Sequence, residues 1–291
     1  MAQVSYEQLN AIRKKALYSN VVYYGFIGGM IFLYSSFFWL SEFWLRLIHP
    51  DNLGYAWYGM FGFFVIGLFV LRPRSDKAKK EAKKAFFESL IPLLTHPVSL
   101  GSTHPIFSLV QTSGLFDYFS SGLADDRYST SIAGKEVVFS HLILKRSRPT
   151  SNNPQRKEHV FNGFFAAIPT DLSPDYHATA SYNKGIGFVL LVNLEEVSNL
   201  PNWFTENYHT MTTNQEFGQE VFTIERMNVL HELYQAGYKV KFSVYEGKIF
   251  LAFPTKNNLF DPSFSKEWTP STLYESAQEL NTFLELLHNL K

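Results

Sequence analysis

Two apolar stretches near the N-terminus, Val21–Leu40 (VVYYGFIGGMIFLYSSFFWL) and Asn52–Leu71 (NLGYAWYGMFGFFVIGLFVL), restrict this chain more than anything else in it. Neither contains Asp, Glu, Lys, Arg or His. At about 1.5 Å per residue, some 20 helical residues reach across a hydrocarbon core roughly 30 Å thick. A helix in a soluble core shows one apolar stripe; these runs are apolar on every face, which predicts a transmembrane helical hairpin over residues 21–71. In the second run the apolar core begins at Tyr55, so Asn52 to Gly54 are expected in the interface. Tyr23, Tyr24, Trp39, Trp44, Tyr55, Trp57 and Tyr58 sit where interfacial aromatic belts form. The first run is too long for a signal peptide and has no small-residue cleavage site behind it.

Charge orients the hairpin. Arg13, Lys14 and Lys15 precede the first run, and Arg72, Arg74, Lys77, Lys79, Lys80, Lys83 and Lys84 follow the second, against only Asp76 and Glu81. In the connection Ser41–Leu53, Glu42 and Asp51 nearly cancel Arg46 and His49. Positive charge at both outer ends predicts both termini in the cytoplasm. Residues 1–20 have Leu9, Ile12, Ala16 and Leu17 on one helical face and are expected to lie amphipathically at the inner surface. Residues 72–91 read as a separate basic juxtamembrane helix: Pro73 ends the span, Ser75 and Asp76 cap, and Ala78, Ala82, Ala85 and Phe86 form a stripe. The cluster Lys77, Lys79, Lys80, Lys83 and Lys84 is expected to face anionic lipid headgroups. Gly25 and Gly29 have the small-xxx-small spacing of a helix-packing face, with Gly59 and Gly62 as candidates opposite. The bland alternative is that glycine is simply common in membrane helices.

Over all 291 residues the formal net charge is zero, so no global field draws nucleic acid, and the lysine cluster lacks the arginine and aromatic interleaving of a nucleic-acid patch. There is no cysteine, which excludes disulfides, thiol nucleophiles and thiolate metal sites.

From Asp125 the period changes to two. Arg127–Ile132, Glu136–Lys145, His159–Ile168, His177–Tyr182 and Gly187–Leu194 read as strands. Gly163 marks a bulge or close backbone approach. Lys239–Tyr245 and Lys248–Pro254 form a hairpin about Glu246-Gly247. Arg226–Gln235 reads as a helix stopped by Gly237, and Thr272–Leu290 as a last helix capped at Thr269. Upstream, Ile106 to Val110 read as a short helix or strand and Leu115, Phe116 and Phe119 as a helical turn. Residues 92–291 therefore form one α+β domain, a mostly antiparallel sheet with packed helices.

The order of short motifs is familiar. The two spans and a lysine-rich helix lead into Ser113-Gly114-Leu115-Phe116, then Asp125-Asp126. Next come Ile132-Ala133-Gly134 with Phe139-Ser140, Val160-Phe161-x-Gly163-x-Phe165, and Phe250-Leu251-Ala252-Phe253-Pro254. Over roughly residues 10–265 this resembles the bacterial membrane family known as domain of unknown function 3137. The resemblance implies an inner-membrane protein of this topology and fold, and it implies no activity. Where the family commonly has an acidic residue after the Phe-Ser pair this chain has His141, and Asn214-Gln215-Glu216-Phe217 is less acidic than its counterpart.

No set of residues converges on catalysis, and no metal or cofactor is expected. His231-Glu232 begins a zinc-binding HExxH string but meets no second histidine. Ser140 and His141 are neighbours on a strand, so they point to opposite faces and cannot pair. The polar residues worth testing are Asp125, Asp126, His104 and His141. Adjacent aspartates suit a divalent cation or a basic peptide, but before a strand they more often serve a turn. The expected role is a membrane-anchored binding or scaffold module with a protein partner or a second copy. The alternative is a membrane-tethered hydrolase using those four residues.

Overall fold

The computed structural model describes residues 5–39, 53–101, 106–116, 119–124, 127–147, 157–182, 194–255 and 262–290. The chain divides into two compact units, one of residues 1–92 with 262–275 and the other of residues 93–261 with 276–291.

The first unit is built on two long helices, α1 (Tyr6–Trp39) and α2 (Leu53–Leu90). A reciprocal cap starts α1: Ser5 Oγ accepts from Gln8 N, and Gln8 Oε1 accepts from Ser5 N, both at 3.2 Å. The helices run antiparallel, with Tyr34 edge-on to Trp57 at 4.8 Å and Phe26 against Phe63 at 5.7 Å. Both are long and apolar enough to cross a membrane. Their large side chains point outward: Phe32 is 72% exposed and Phe69 77%. An aqueous core helix would bury these groups.

Two expected boundaries are absent. Residues 6–20 are the opening turns of α1, continuous with the apolar run, and Pro73 lies inside α2 without ending it. The reason is packing beyond the apolar stretch. Leu9, Arg13 and Ala16 of α1 and Ser75, Ala78, Ala82, Ala85 and Phe86 of α2 are buried, so both helices are held past the point where either segment alone would stop. Ser75, expected as a cap, instead donates to Asn20 Oδ1 at 3.5 Å.

Residues 262–275 close this unit as a strap. Trp268 is 2% exposed, its ring 4.8 Å from that of Phe86 and 5.8 Å from that of Phe264. Asn10 Nδ2 donates to Trp268 O at 2.8 Å, and Arg13 Nη1 donates to Phe264 O at 2.9 Å. Thr269 Oγ1 accepts from Thr272 N at 3.3 Å and caps the last helix, as expected.

The second unit is an antiparallel sheet with helices. Its strands are β1 (Val98–Gly101), β2 (Ser121–Ala124), β3 (Arg127–Ile132), β4 (Lys135–Ser147), β5 (Lys157–Pro169), β6 (Ala178–Ser181), β7 (Glu195–Glu196), β8 (His209–Thr212), β9 (Lys241–Tyr245) and β10 (Lys248–Pro254). Among the described residues they follow the order β1-β3-β4-β5-β10-β9-β6-β8-β7, and β2 shares one edge of β4 with β3. The expected strands over 127–132, 136–145, 159–168 and 177–182 all form. The β9–β10 turn uses Glu246 and Gly247, both at positive φ, the pattern that matches strand twist in a two-residue hairpin. The strand expected over residues 187–194 falls almost wholly outside the described residues.

One face of the sheet carries Val138, Leu142, Phe165, Ala167, Phe250 and Ala252, covered by α3 (Ile106–Thr112) and by Leu115 and Phe116. The last two were expected in a helical turn; Gly114, at φ +64, ends the helix before them. On the other face Phe164 and Phe253 stack against Phe283 of the last helix, α7 (Pro270–Asn289), at 5.4 and 5.5 Å. The same side holds α4 (Asn202–Thr205), α5 (Gln215–Val221) and α6 (Ile224–Gln235), with Phe204 and Phe242 both against Phe222. At Gly163 a Cβ would overlap Phe253 O and the Pro254 backbone, which realises the close approach expected there. The irregularity in β5 falls between the pairs Leu144–Phe161 and Lys145–His159, at Val160.

Candidate functional site

Of the four polar residues singled out, the structure describes His141 alone; Asp125, Asp126 and His104 lie outside the described residues. His141 is buried on β4 opposite Phe164 of β5. Ser140 Oγ donates to the His141 carbonyl at 3.2 Å, and Ser140 pairs with Phe165. The two side chains therefore take opposite faces, as strand geometry requires. His231 shares a hydrogen at 2.8 Å with Gln235 on the surface of α6. Among the described residues no group of three His, Asp or Glu is placed to hold a metal ion.

The lysine cluster lies on the continuous α2. Lys77 pairs with Glu81 at 4.0 Å and Lys84 with Glu88 at 3.8 Å, both across exposed helix turns. Lys15 reaches Glu81 from α1 at 3.4 Å, and the Lys79 ammonium stands 5.9 Å from the centre of the Tyr24 ring. Exposed pairs of this kind contribute little to stability. Within the chain a Cβ at Gly25, Gly29, Gly59 or Gly62 would meet nothing within 4 Å. The helices touch closely at Gly67 instead, where a Cβ would overlap the Phe26 ring. No spacing motif marks Gly67, because its partner is one bulky ring and not a second small residue.

A cleft of about 340 Å³ opens in the sheet unit, lined by His159, Val160, Phe161, Asn162, Tyr182, Lys239, Lys241 and Pro254. Register explains its position. β10 stops at Pro254 opposite Gly163, β6 stops at Ser181, and β9 begins at Lys241, while β5 continues back to Lys157. Among the described residues, β5 beyond Gly163 on this side meets only Thr255 N, which donates to Asn162 O at 3.2 Å. Lys239 and Lys241 flank Val240, which is fully buried, and both lysines line the cleft. Lys241 is fixed: its ammonium donates to Leu115 O at 3.2 Å and stands 5.0 Å over the Phe116 ring. Lys239 lies 5.8 Å over the ring of Tyr182. Among the described residues no carboxylate lines the cleft. Sequence reading passed over these lysines because β9 looked like an ordinary alternating strand.

Behind the β9–β6 pair lies a buried polar patch. Ser243 Oγ donates to the Ser113 carbonyl, Ser113 Oγ donates to Val110 O at 2.7 Å, and Thr179 lies opposite Ser243. His177 is buried beside the Tyr245 ring at 5.1 Å, with its backbone N–H on Thr213 Oγ1 at 2.9 Å. Desolvation lowers its pKa to about 4, so the imidazole is neutral at physiological pH. Neither ring nitrogen has a hydrogen-bond partner among the described residues.

These features define a chain with two apolar helices, long enough to span a bilayer, joined to an antiparallel sheet unit that carries a basic cleft. Residues 174–291 match the model of the family described as "Protein of unknown function (DUF3137)", and the chain resembles that family. The match covers β6 to α7; the motifs ahead of residue 174 lie outside it, and it runs on past residue 265. No curated protein matches. The mycobacterial trehalose monomycolate transport factor A is similar in structure at 10% identity and a TM-score of 0.35, over 72% of this chain and 94% of that one.

Proposed function

We propose that this chain is a bacterial inner-membrane protein in which α1 and α2 anchor a non-catalytic binding or scaffold module on the cytoplasmic side. The observation that carries the reading is the sleeve of exposed apolar side chains around both helices, bordered at one end by Arg72, Arg74 and the lysines of α2. Water does not tolerate such a surface, and a bilayer with anionic headgroups suits both parts of it. The sheet unit would engage a protein partner or a second copy while the basic face meets lipid.

The absence of cysteine makes the test clean. Ser265→Cys and Ser41→Cys variants are treated with a membrane-impermeant maleimide in intact spheroplasts. Ser41→Cys should label at once and Ser265→Cys only after permeabilisation; the reverse pattern overturns the orientation, and release by alkaline carbonate overturns the anchor. Purification in mild detergent should bring a stoichiometric partner. A turnover abolished by one polar substitution would overturn the non-catalytic reading.

A further inference from the structure

We propose that His96 and His288 together bind a divalent transition-metal ion of the zinc class, which clips the last turn of α7 to the segment that leads into β1. The two ring centres lie 5.9 Å apart. Imidazoles that share one ion at about 2.0–2.1 Å from each nitrogen have ring centres about 5–6 Å apart, so the spacing suits a common ion. The ring planes differ by 21°, and rotation about each Cβ–Cγ bond, a soft torsion, turns a nitrogen toward the gap between them. His288 is exposed and His96 half-buried, so both are open to an ion from solvent.

The backbone brings the two rings together without help from an ion. Asn281 and His288 are about two helical turns apart and share a face of α7. Asn281 fixes the incoming segment against that face: its Oδ1 accepts from Thr95 N at 2.8 Å and from Thr95 Oγ1 at 3.1 Å, and its Nδ2 donates to Leu93 O at 3.1 Å. His96 follows directly. The helix is seated in turn by Leu280, Leu284 and Leu287, all buried. Binding therefore has little left to order beyond the rings, which favours affinity.

Ligand chemistry selects the ion. Imidazole suits Zn²⁺, Cu²⁺ and Ni²⁺, whereas Mg²⁺ and Ca²⁺ take oxygen. His288 lies in the last turn of α7, where the helix dipole favours a cation. Glu285, about one turn before it, adds negative charge on the same flank. Two protein ligands leave the other coordination positions to water.

The test uses the full chain in mild detergent without a histidine tag, which would itself take up the ion. Zinc chloride is titrated calorimetrically, and thermal melting is followed in zinc and in EDTA. We expect one-to-one saturation and a higher melting midpoint in zinc, because an ion held only by the folded chain stabilises it. His96→Gln and His288→Gln should each weaken binding at least roughly tenfold and abolish the zinc-dependent rise. Each variant is compared with itself in EDTA, so a change in intrinsic stability does not enter. His231→Gln, on the surface of α6, should retain both effects, and magnesium chloride should not reproduce the rise. Absence of saturation, or a zinc-dependent rise that survives in either variant of the pair, overturns the proposal. An equal loss in His231→Gln overturns it as well, since it marks adventitious uptake by surface imidazoles.

Discussion

Asn10 and Trp268 are joined twice through one side-chain amide: Asn10 Nδ2 donates to the Trp268 carbonyl at 2.8 Å, and Asn10 Oδ1 accepts from the Trp268 N–H at 3.1 Å. Asn10 Oδ1 also takes Arg13 Nε at 3.0 Å, so a single residue of α1 satisfies part of the strap's backbone and orients the arginine that holds Phe264. Asn10→Leu leaves both Trp268 backbone groups without these partners, at a cost of about 2 kcal/mol. Lys266 lies within the strap, so tryptic cleavage there should accelerate at least roughly tenfold in the folded chain. An unchanged cleavage rate would show that the ring contacts of Trp268 hold the strap without the amide.

His177 makes the sheet unit sensitive to acid. Its pKa falls from 6.5 to about 4 on burial, so below pH 6.5 the unfolded chain takes up a proton that the folded chain refuses. Stability is thus unaffected above pH 6.5, declines as pH falls toward 4 and levels off below it. Between pH 7 and 5 the loss from this group is about 2 kcal/mol. Denaturation midpoints of wild type and His177→Gln should converge over that interval as wild type weakens; parallel curves would remove His177 as the source.

Arg226 ties helix ends together. Its Nε donates to Leu290 O at 2.9 Å, and its Nη1 donates to Val221 O at 3.0 Å and Glu220 O at 3.2 Å. Burial lowers its pKa, yet a guanidinium stays charged and the carbonyls at the ends of α5 and α7 supply the compensating dipoles. Arg226→Met should lower stability by about 3 kcal/mol, with Arg226→Lys recovering only part because an ammonium lacks the planar fork. Denaturant midpoints at constant slope measure both.

The continuity of α2 divides its lysines. At about 1.5 Å per residue, Lys77, Lys79 and Lys80 stand about 9 to 14 Å beyond Leu71, and Lys83 and Lys84 about 18 to 20 Å. The screening length at physiological salt is about 8 Å. In vesicles with spin-labelled phosphatidylglycerol, changing the first three lysines to Gln should reduce the lipid's enrichment around the protein, while changing Lys83 and Lys84 should barely alter it. Equal effects would mean that α2 does not leave the membrane as a straight helix.

Much of this architecture is written locally. The apolar runs follow from length and the lack of charge over some 20 residues each, the β3, β4 and β5 strands and the Glu246-Gly247 hairpin from periodicity or turn chemistry over shorter stretches, and Gly163 announces the close passage of β10. What escaped local reading depends on distant partners. Nothing around Pro73 signals that α2 continues, because the support comes from Leu9, Arg13, Ala16 and the strap. The short strands β1, β2 and β8 have four residues each, too few for a period to stand out. The cleft is a product of where three strands happen to end beside a longer fourth, and a strand end is visible only once its neighbours are aligned. Trp268 reads as an isolated aromatic in a polar stretch until Phe86 is placed beneath it.

The strap also imposes an order on biogenesis. A ribosome delivers the two apolar helices before the sheet, so they exist as a pair while most of the sheet is still untranslated. Yet the seat beneath Trp268, formed by Asn10 and Phe86, stays empty until the chain has emerged through residue 268. The unit begun before the sheet is therefore finished only after it, and a nascent chain stalled within the sheet would carry an open helical pair with its inner aromatic surface uncovered. Completion of the first unit becomes a record that translation has run through residue 268.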